Sequence, residues 1–170
     1  MMSIKARTDI NQPLGQGTPA IFVGMMLSKS FGYALQGVLY VASASNNNAK
    51  IQLDKIAETL TVPRYFLGKV MKRLAKEGIL NSVKGHHGGF SINETTLHTS
   101  LLKLAELTGE MERFDSCVLK SRTCNAKNPC PLHHKFEPLK KKWQTLLAST
   151  TIGDLLRKEQ PDFIRSIAAI

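Results

Sequence analysis

Three cysteines and a histidine, Cys117, Cys124, Cys130 and His133, fall in one stretch at the spacing C-x6-C-x5-C-x2-H. Thiolate sulfur and imidazole nitrogen are the ligands that soft and borderline metals take. Three thiolates and one imidazole can close a tetrahedral zinc site. They serve a two-iron cluster equally well, with one ligand pair on each iron. The gaps are longer than the C-x2-C knuckles of zinc modules and suit a loop wrapped around something larger than one ion. Arg113, Lys120, Arg122, Lys127 and Lys135 surround the set. Such charge is expected to lower the thiol pKa and favour the thiolate. His134, beside His133, is a substitute ligand. Two metal-free readings compete. The cysteines can act as free thiols of a redox sensor, or Cys130 and His133 can form a nucleophile and base. The enzyme reading lacks a glycine-rich elbow and a third orienting group. No catalytic residue and no small-molecule substrate are therefore expected.

The elements around this stretch must position it. Glu110 to His134 shows no sustained apolar period. A long irregular segment inside a compact domain is usually functional or disordered, and the gathered cysteines argue for function. Before it, Thr99 to Leu107 reads as a short helix closed by Gly109. After it, order is expected to return at Pro138, where Leu139, Trp143, Leu146 and Leu147 form an apolar stripe. Lys140, Lys141 and Lys142 lie on the other sides of that helix. The stripe is long enough for a dimer interface, and packing within one chain competes with that use. Thr151 to Leu156 reads as a capped short helix, and a last helix is expected from Pro161 to Ile167.

Upstream, Gln52 to Ile92 carries a second pattern. Leu53, Ile56, Ala57 and Leu60 repeat at helical spacing, and so do Leu67, Val70, Met71 and Leu74. Pro63 suits the first position of the second helix, and Gly78 its left-handed close. Tyr65, Lys69, Lys72 and Lys76 share the opposite face, with Arg73 beside them and Arg64 at the helix start. Leu80 to Lys84, a turn from Gly85 to Gly89, and Phe90 to Ile92 read as a hairpin. Helix, turn, basic helix and hairpin is the layout of a winged helix-turn-helix, whose basic helix enters the major groove. Arg64, Tyr65, Lys69, Lys72 and Arg73, with Lys84, His86 and His87 of the wing, are the expected DNA contacts. A basic helix alone is more often a solvated face; the adjoining turn and hairpin decide otherwise here. Leu27 to Ala44, with Phe31, Ala34, Leu35, Val38 and Val41, reads as an amphipathic helix backing this unit. Ser45 to Asn48 is a turn.

Lys and Arg number 23 against 13 Asp and Glu, a net charge of +10 over 170 residues. That balance favours a polyanionic partner. No apolar run approaches the roughly 18 residues of a membrane span, and no secretory signal is evident. Three cysteines make an odd count, which argues against a closed disulfide framework and for a reducing cytoplasm. The expected division is a disordered leader at 1–24, a winged domain at 25–109, a cysteine loop at 110–135 and a helical dimerisation region at 136–170. The fold class is mostly α.

Four segments and the cysteine loop carry a family likeness: LSKSFGYALQGVLYVA, KIAETLTVPRYFLGKVMKRLAKEGIL, SVKGHHGGFSI and TTIGDLL. Together they resemble the Rrf-two family of bacterial winged-helix transcription regulators, the group of IscR and NsrR, from about Met26 to Leu156. The resemblance implies a homodimer on double-stranded DNA with a palindromic operator, and a long C-terminal helix crossing to the partner. It implies sensing of iron, redox state, oxygen or nitric oxide through an iron–sulfur cluster, 2Fe–2S for three cysteines and a histidine. Cys117, Cys124, Cys130 and His133 match those ligands. The family wing usually begins Arg-Gly, and here Lys84-Gly85 stands in that place. Lysine keeps the charge but lacks the planar fork. The first cysteine gap is also one residue longer than the commoner spacing. A regulator of the same fold without metal, switched by cysteine oxidation or by a protein partner, is the other implied reading.

Overall fold

Helix α1, Lys29–Ala44, forms the back wall of the fold. Phe31, Ala34, Val38 and Val41 recur on one side of it and are buried, and Leu39 widens the stripe. Helices α2 (Leu53–Thr59) and α3 (Arg64–Lys76) follow. The computed structural model describes residues 27–44, 49–85, 87–117, 119 and 124–157. The expected leader at 1–24, the turn at Ser45–Asn48, His86 and the expected helix from Pro161 lie outside the described residues.

Both stripes read for the helix-turn-helix face inward. Ile56 and Ala57 of α2, with Leu60 after it, meet Leu67, Met71 and Leu74 of α3 in the core. Thr61, at φ 52, takes the left-handed conformation in the turn between them. Pro63 is the N-cap of α3 rather than its first residue, with ψ 118. It pre-sets the extended entry while its carbonyl accepts the Leu67 amide. Gly78 closes α3 at φ 73, where an L side chain would be strained.

The hairpin is shorter than its apolar alternation suggested. Strands β1 (Asn81–Val83) and β2 (Gly89–Ser91) pair antiparallel, with Ser82 opposite Phe90. Leu80 stays outside the ladder because it is a core residue, 2% exposed. Ile51 bridges the other edge of β2, exchanging both backbone hydrogen bonds with Phe90 at 2.8 and 2.9 Å. Gly89 makes this seam possible. Its φ is +150°, and a Cβ there would stand 2.5 Å from the Ile51 carbonyl oxygen.

Helix α4, Leu101–Leu107, is capped by Ser100 and buries Leu101, Leu104, Ala105 and Leu107. The stretch expected to be irregular from Glu110 instead begins with helix α5, Glu110–Asp115. Its length is below one full apolar repeat, so periodicity could not reveal it. Glu110 is its anchor. The side chain is 1% exposed, and both carboxylate oxygens accept the Ser28 backbone N–H, at 2.9 and 3.0 Å. Arg113 lies 3.4 Å away and completes the pairing of this buried group. The start of α5 is thereby tied to the start of α1.

Helix α6 runs His133–Ser149, five residues earlier than expected, with Pro138 inside it. Proline here removes one amide, the donor that would meet the carbonyl of His134. His134 is an exposed residue, so water can serve that carbonyl. Leu147 of α6 and Ile152 of α7 (Ile152–Arg157) complete the core. Thr151 and Asp154 cap α7 reciprocally. Thr151 N–H and Oγ1–H donate to Asp154 Oδ2 at 2.9 and 2.7 Å, and Asp154 N–H donates to Thr151 Oγ1 at 3.1 Å. The Thr151 hydrogen bonds, with Arg157 adding, hold the Asp154 carboxyl down at about 2. No helix among the described residues is long and apolar enough to cross a membrane.

Candidate DNA interface and metal centre

The outward face of α3 begins with two aromatic rings. Tyr65 and Phe66 are 65% and 55% exposed and meet edge to face at 5.5 Å. Lys69 Nζ sits 4.4 Å from the centroid of the Tyr65 ring, a cation–π contact that holds both side chains over the helix. Lys72, Arg73 and Lys76 continue this exposed face. Leu67, Gly68, Met71 and Leu74 occupy the opposite, buried one. Tyr65, Lys69, Lys72 and Arg73 are thus brought together on one basic surface. Phe66 was missed in the sequence. It adjoins Leu67 and reads as core, yet one step of about 100° places it outside the buried stripe.

Arg64, at the start of α3, is exposed and paired with Asp54 of α2. Its guanidinium donates to the Asp54 carboxylate through Nε, and through Nη2 at 3.3 Å. That hydrogen bond and the charge of Arg64 hold the Asp54 carboxyl below its ordinary range. The pair laces α2 to α3. Lys84 and His87 are exposed in the wing turn, which passes through Gly85 at φ 102.

The thiols converge. Cys117, Cys124 and Cys130 have their sulfurs within 4.8 Å of one another. Cys117 Sγ and Cys130 Sγ are 3.6 Å apart. Cys124 Sγ lies 3.4 Å from His133 Nδ1 and accepts the Cys130 backbone N–H at 3.3 Å. Two ligands on one tetrahedral ion with bonds near 2.3 Å stand about 3.8 Å apart. Both donor pairs are close to that separation. They enclose a cavity of about 30 Å³, also lined by Leu132, Phe136, Glu137 and Lys140.

Helix α6 places two of these parts. His133 is its first residue, so its ring is held by helical backbone rather than by a loop. Lys140 Nζ donates to the Ser116 carbonyl at 2.7 Å, fastening α6 beside Cys117. The thiol electrostatics differ from expectation at Cys124. The Cys130 amide draws its pKa down, but burial and the neighbouring sulfurs of Cys130 and Cys117 outweigh that donor, and the net shift is upward. Burial and the crowding of like groups, neither of which linear spacing shows, are the cause. Lys120 and Arg122 lie outside the described residues.

Glu137 also escaped the sequence reading. Its Oε2 is 2.8 Å from His133 Nε2 and its Oε1 is 3.2 Å from Lys141 Nζ. Hydrogen bonding to Lys141, with a contribution from His133, keeps its carboxyl below the ordinary range. The available signal was the four-residue step from His133 to Glu137, hidden by placing the helix start at Pro138.

The expected interface stripe divides. Leu147 is 3% exposed, and Trp143 packs on Phe114 with ring centroids 6.1 Å apart. Leu139 and Leu146 are 58% and 51% exposed.

A family model, Rrf2, described as an iron-dependent transcriptional regulator, matches residues 27–158. A provisionally named HTH-type transcriptional regulator of Aquifex aeolicus strain VF5 is 37% identical over 138 residues, covering 80% of this chain and 94% of that one. The HTH-type transcriptional repressor NsrR of Streptomyces coelicolor is 28% identical over 109 residues, covering 64% and 68%. Among solved structures, T. potens IscR superposes with a TM-score of 0.60 at 20% identity, covering 84% of this chain and 93% of that chain. This last likeness bears on the fold alone.

Proposed function

We propose, since the chain belongs to the Rrf2 family of DNA-binding transcription regulators, that it is a cytoplasmic homodimer whose operator affinity is set by an iron–sulfur cluster. The family places it among regulators rather than enzymes. The reading of a cluster rests on one observation, the convergence of three thiols and an imidazole in a single pocket. The donor set suits a 2Fe–2S cluster. Such a cluster takes four protein ligands, and Cys117, Cys124, Cys130 and His133 would supply them. When bound, the cluster would supply an iron centre responsive to iron supply, oxidants or nitric oxide. Iron is favoured over zinc by the family's description as iron-dependent.

The chain's own residues connect this pocket to the reading face. Lys140 joins α6 to the backbone beside Cys117. Helix α5 leads from that point back to Glu110, which grips the first turn of α1. Helix α1 packs directly on α3. Ordering the ligand loop before DNA arrives removes an entropic cost of about 1–2 kcal/mol per residue from binding. The operator we infer is palindromic, read by α3 in the major groove of each half-site with Lys84, His86 and His87 on the flanking backbone. Action as a repressor is the favoured mode.

The direct test is protein purified without oxygen, analysed for iron and acid-labile sulfide, and titrated onto a selected operator with and without its cluster. We expect about two irons and two sulfides per chain and a changed operator affinity on their removal. Zinc alone, or equal affinity of both forms, would replace this reading with the metal-free one.

The dimer interface we propose lies along the stripe of Leu139, Trp143, Leu146 and Leu147, of which Leu147 is held in the chain's own core. Its outward part is Leu139 and Leu146, seven residues apart on one face of α6. Replacing both with lysine should convert the dimer to monomers in sedimentation while leaving the core leucine Leu147 in place. Operator binding should then weaken sharply, because one helix-turn-helix reads a half-site only. A double variant that still sediments as a dimer would move the interface elsewhere.

A further inference from the structure

The two nitrogens of His133 face different partners. Nδ1 points at the thiol group, 3.4 Å from Cys124 Sγ. Nε2 points along α6 to Glu137 Oε2 at 2.8 Å. A neutral imidazole carries one N–H, and a carboxylate can only accept. The proton therefore belongs on Nε2, which leaves the Nδ1 lone pair facing the sulfurs. The second oxygen of Glu137 is held by Lys141 at 3.2 Å, one further helical turn along. His133, Glu137 and Lys141 form a ladder at four-residue steps, so the carboxylate is fixed from both sides. His133 is largely enclosed, at 19% side-chain exposure. The neighbouring His134 is exposed and meets the His133 ring edge to face at 5.5 Å. Among the described residues no carboxylate pairs with it.

We infer that Glu137 is a positioning residue, whose carboxylate orients the His133 ring and fixes its tautomer so that Nδ1 is the fourth ligand atom of the site. The inference rests on the cluster reading above and deepens it. It selects His133 over His134, and Nδ1 over Nε2. Metal-bound histidines commonly give their second N–H to a carboxylate, and loss of such a partner costs about 10–100-fold in metal affinity. Lys141 acts one step further out, by keeping Glu137 in the rotamer that reaches Nε2.

The experiment uses the full chain, purified without oxygen and carrying histidine labelled with 15N at Nδ1 alone. Pulsed electron paramagnetic resonance of the reduced cluster reads which nitrogen is strongly coupled to iron. The labelled Nδ1 is expected; strong coupling from unlabelled Nε2 overturns the inference. The second arm compares Glu137→Ala, which removes the acceptor, with Glu137→Gln, which keeps an oxygen acceptor and drops the charge. Glu137→Ala should release iron to a chelator about tenfold faster or more and shift the cluster's reduction potential. Glu137→Gln should restore part of both. A merely structural role in α6 would leave the nitrogen coupling and the potential unmoved. Wild-type cluster with an unchanged Glu137→Ala spectrum, potential and release rate overturns this inference alone. Wild-type protein without any iron overturns it together with the reading it rests on.

Discussion

Cys124→Ala should empty the site, taking bound iron from about two per chain to nearly none and leaving operator affinity equal to that of cluster-free wild-type protein. Cys124 joins the two halves of the donor set. Its sulfur faces His133 Nδ1 and accepts the Cys130 amide, while it lies within the same group as Cys117. Alanine removes a ligand that nothing nearby replaces, since His134 is turned to solvent and Glu137 is engaged by His133 and Lys141. The fold should survive, because Cys124 is only half-buried and outside the apolar core. Circular dichroism is the control, and iron and sulfide content with the visible spectrum is the readout. His133→Ala should be milder, giving a labile cluster with an altered spectrum, because three thiolates remain. Retention of full iron by Cys124→Ala would remove that cysteine from the ligand set.

The second large effect concerns the reading face. Replacing Lys69, Lys72 and Arg73 together with alanine should lower the slope of log affinity against log salt by about 0.9 for each phosphate no longer neutralised. If each side chain neutralises one phosphate, the slope changes by roughly 2.7. All three side chains are exposed, so the change acts on binding and spares the core. Lys69→Ala also frees the Tyr65 ring from its cation, and should reduce base preference as well as affinity. Arg64→Ala should behave differently. Its partner Asp54 belongs to α2, so much of its effect should appear as a looser helix-turn-helix rather than as a lower salt slope. A triple variant with unchanged affinity and slope would show that α3 does not lie on DNA.

Much of this protein is readable in its linear order because the relevant physics is local. The stripes of Phe31, Ala34, Val38 and Val41, and of Leu67, Met71 and Leu74, repeat with the helical period and are buried as that period requires. Gly78 marks the end of α3 by its backbone freedom. The basic face of α3 and the donor chemistry of Cys117, Cys124, Cys130 and His133 are properties of residue type and short spacing. Tertiary structure alone decided that the donors meet, because the approach of Cys117 to Cys130 and of Cys124 to His133 depends on how the loop returns to α6. It decided that Glu110, an ordinary acidic residue in sequence, is buried against Ser28. It also split one apolar stripe, sending Leu147 to the core and leaving Leu139 and Leu146 outside. Helical periodicity records that a face avoids water; it carries no information on whether the chain itself or a second copy covers that face.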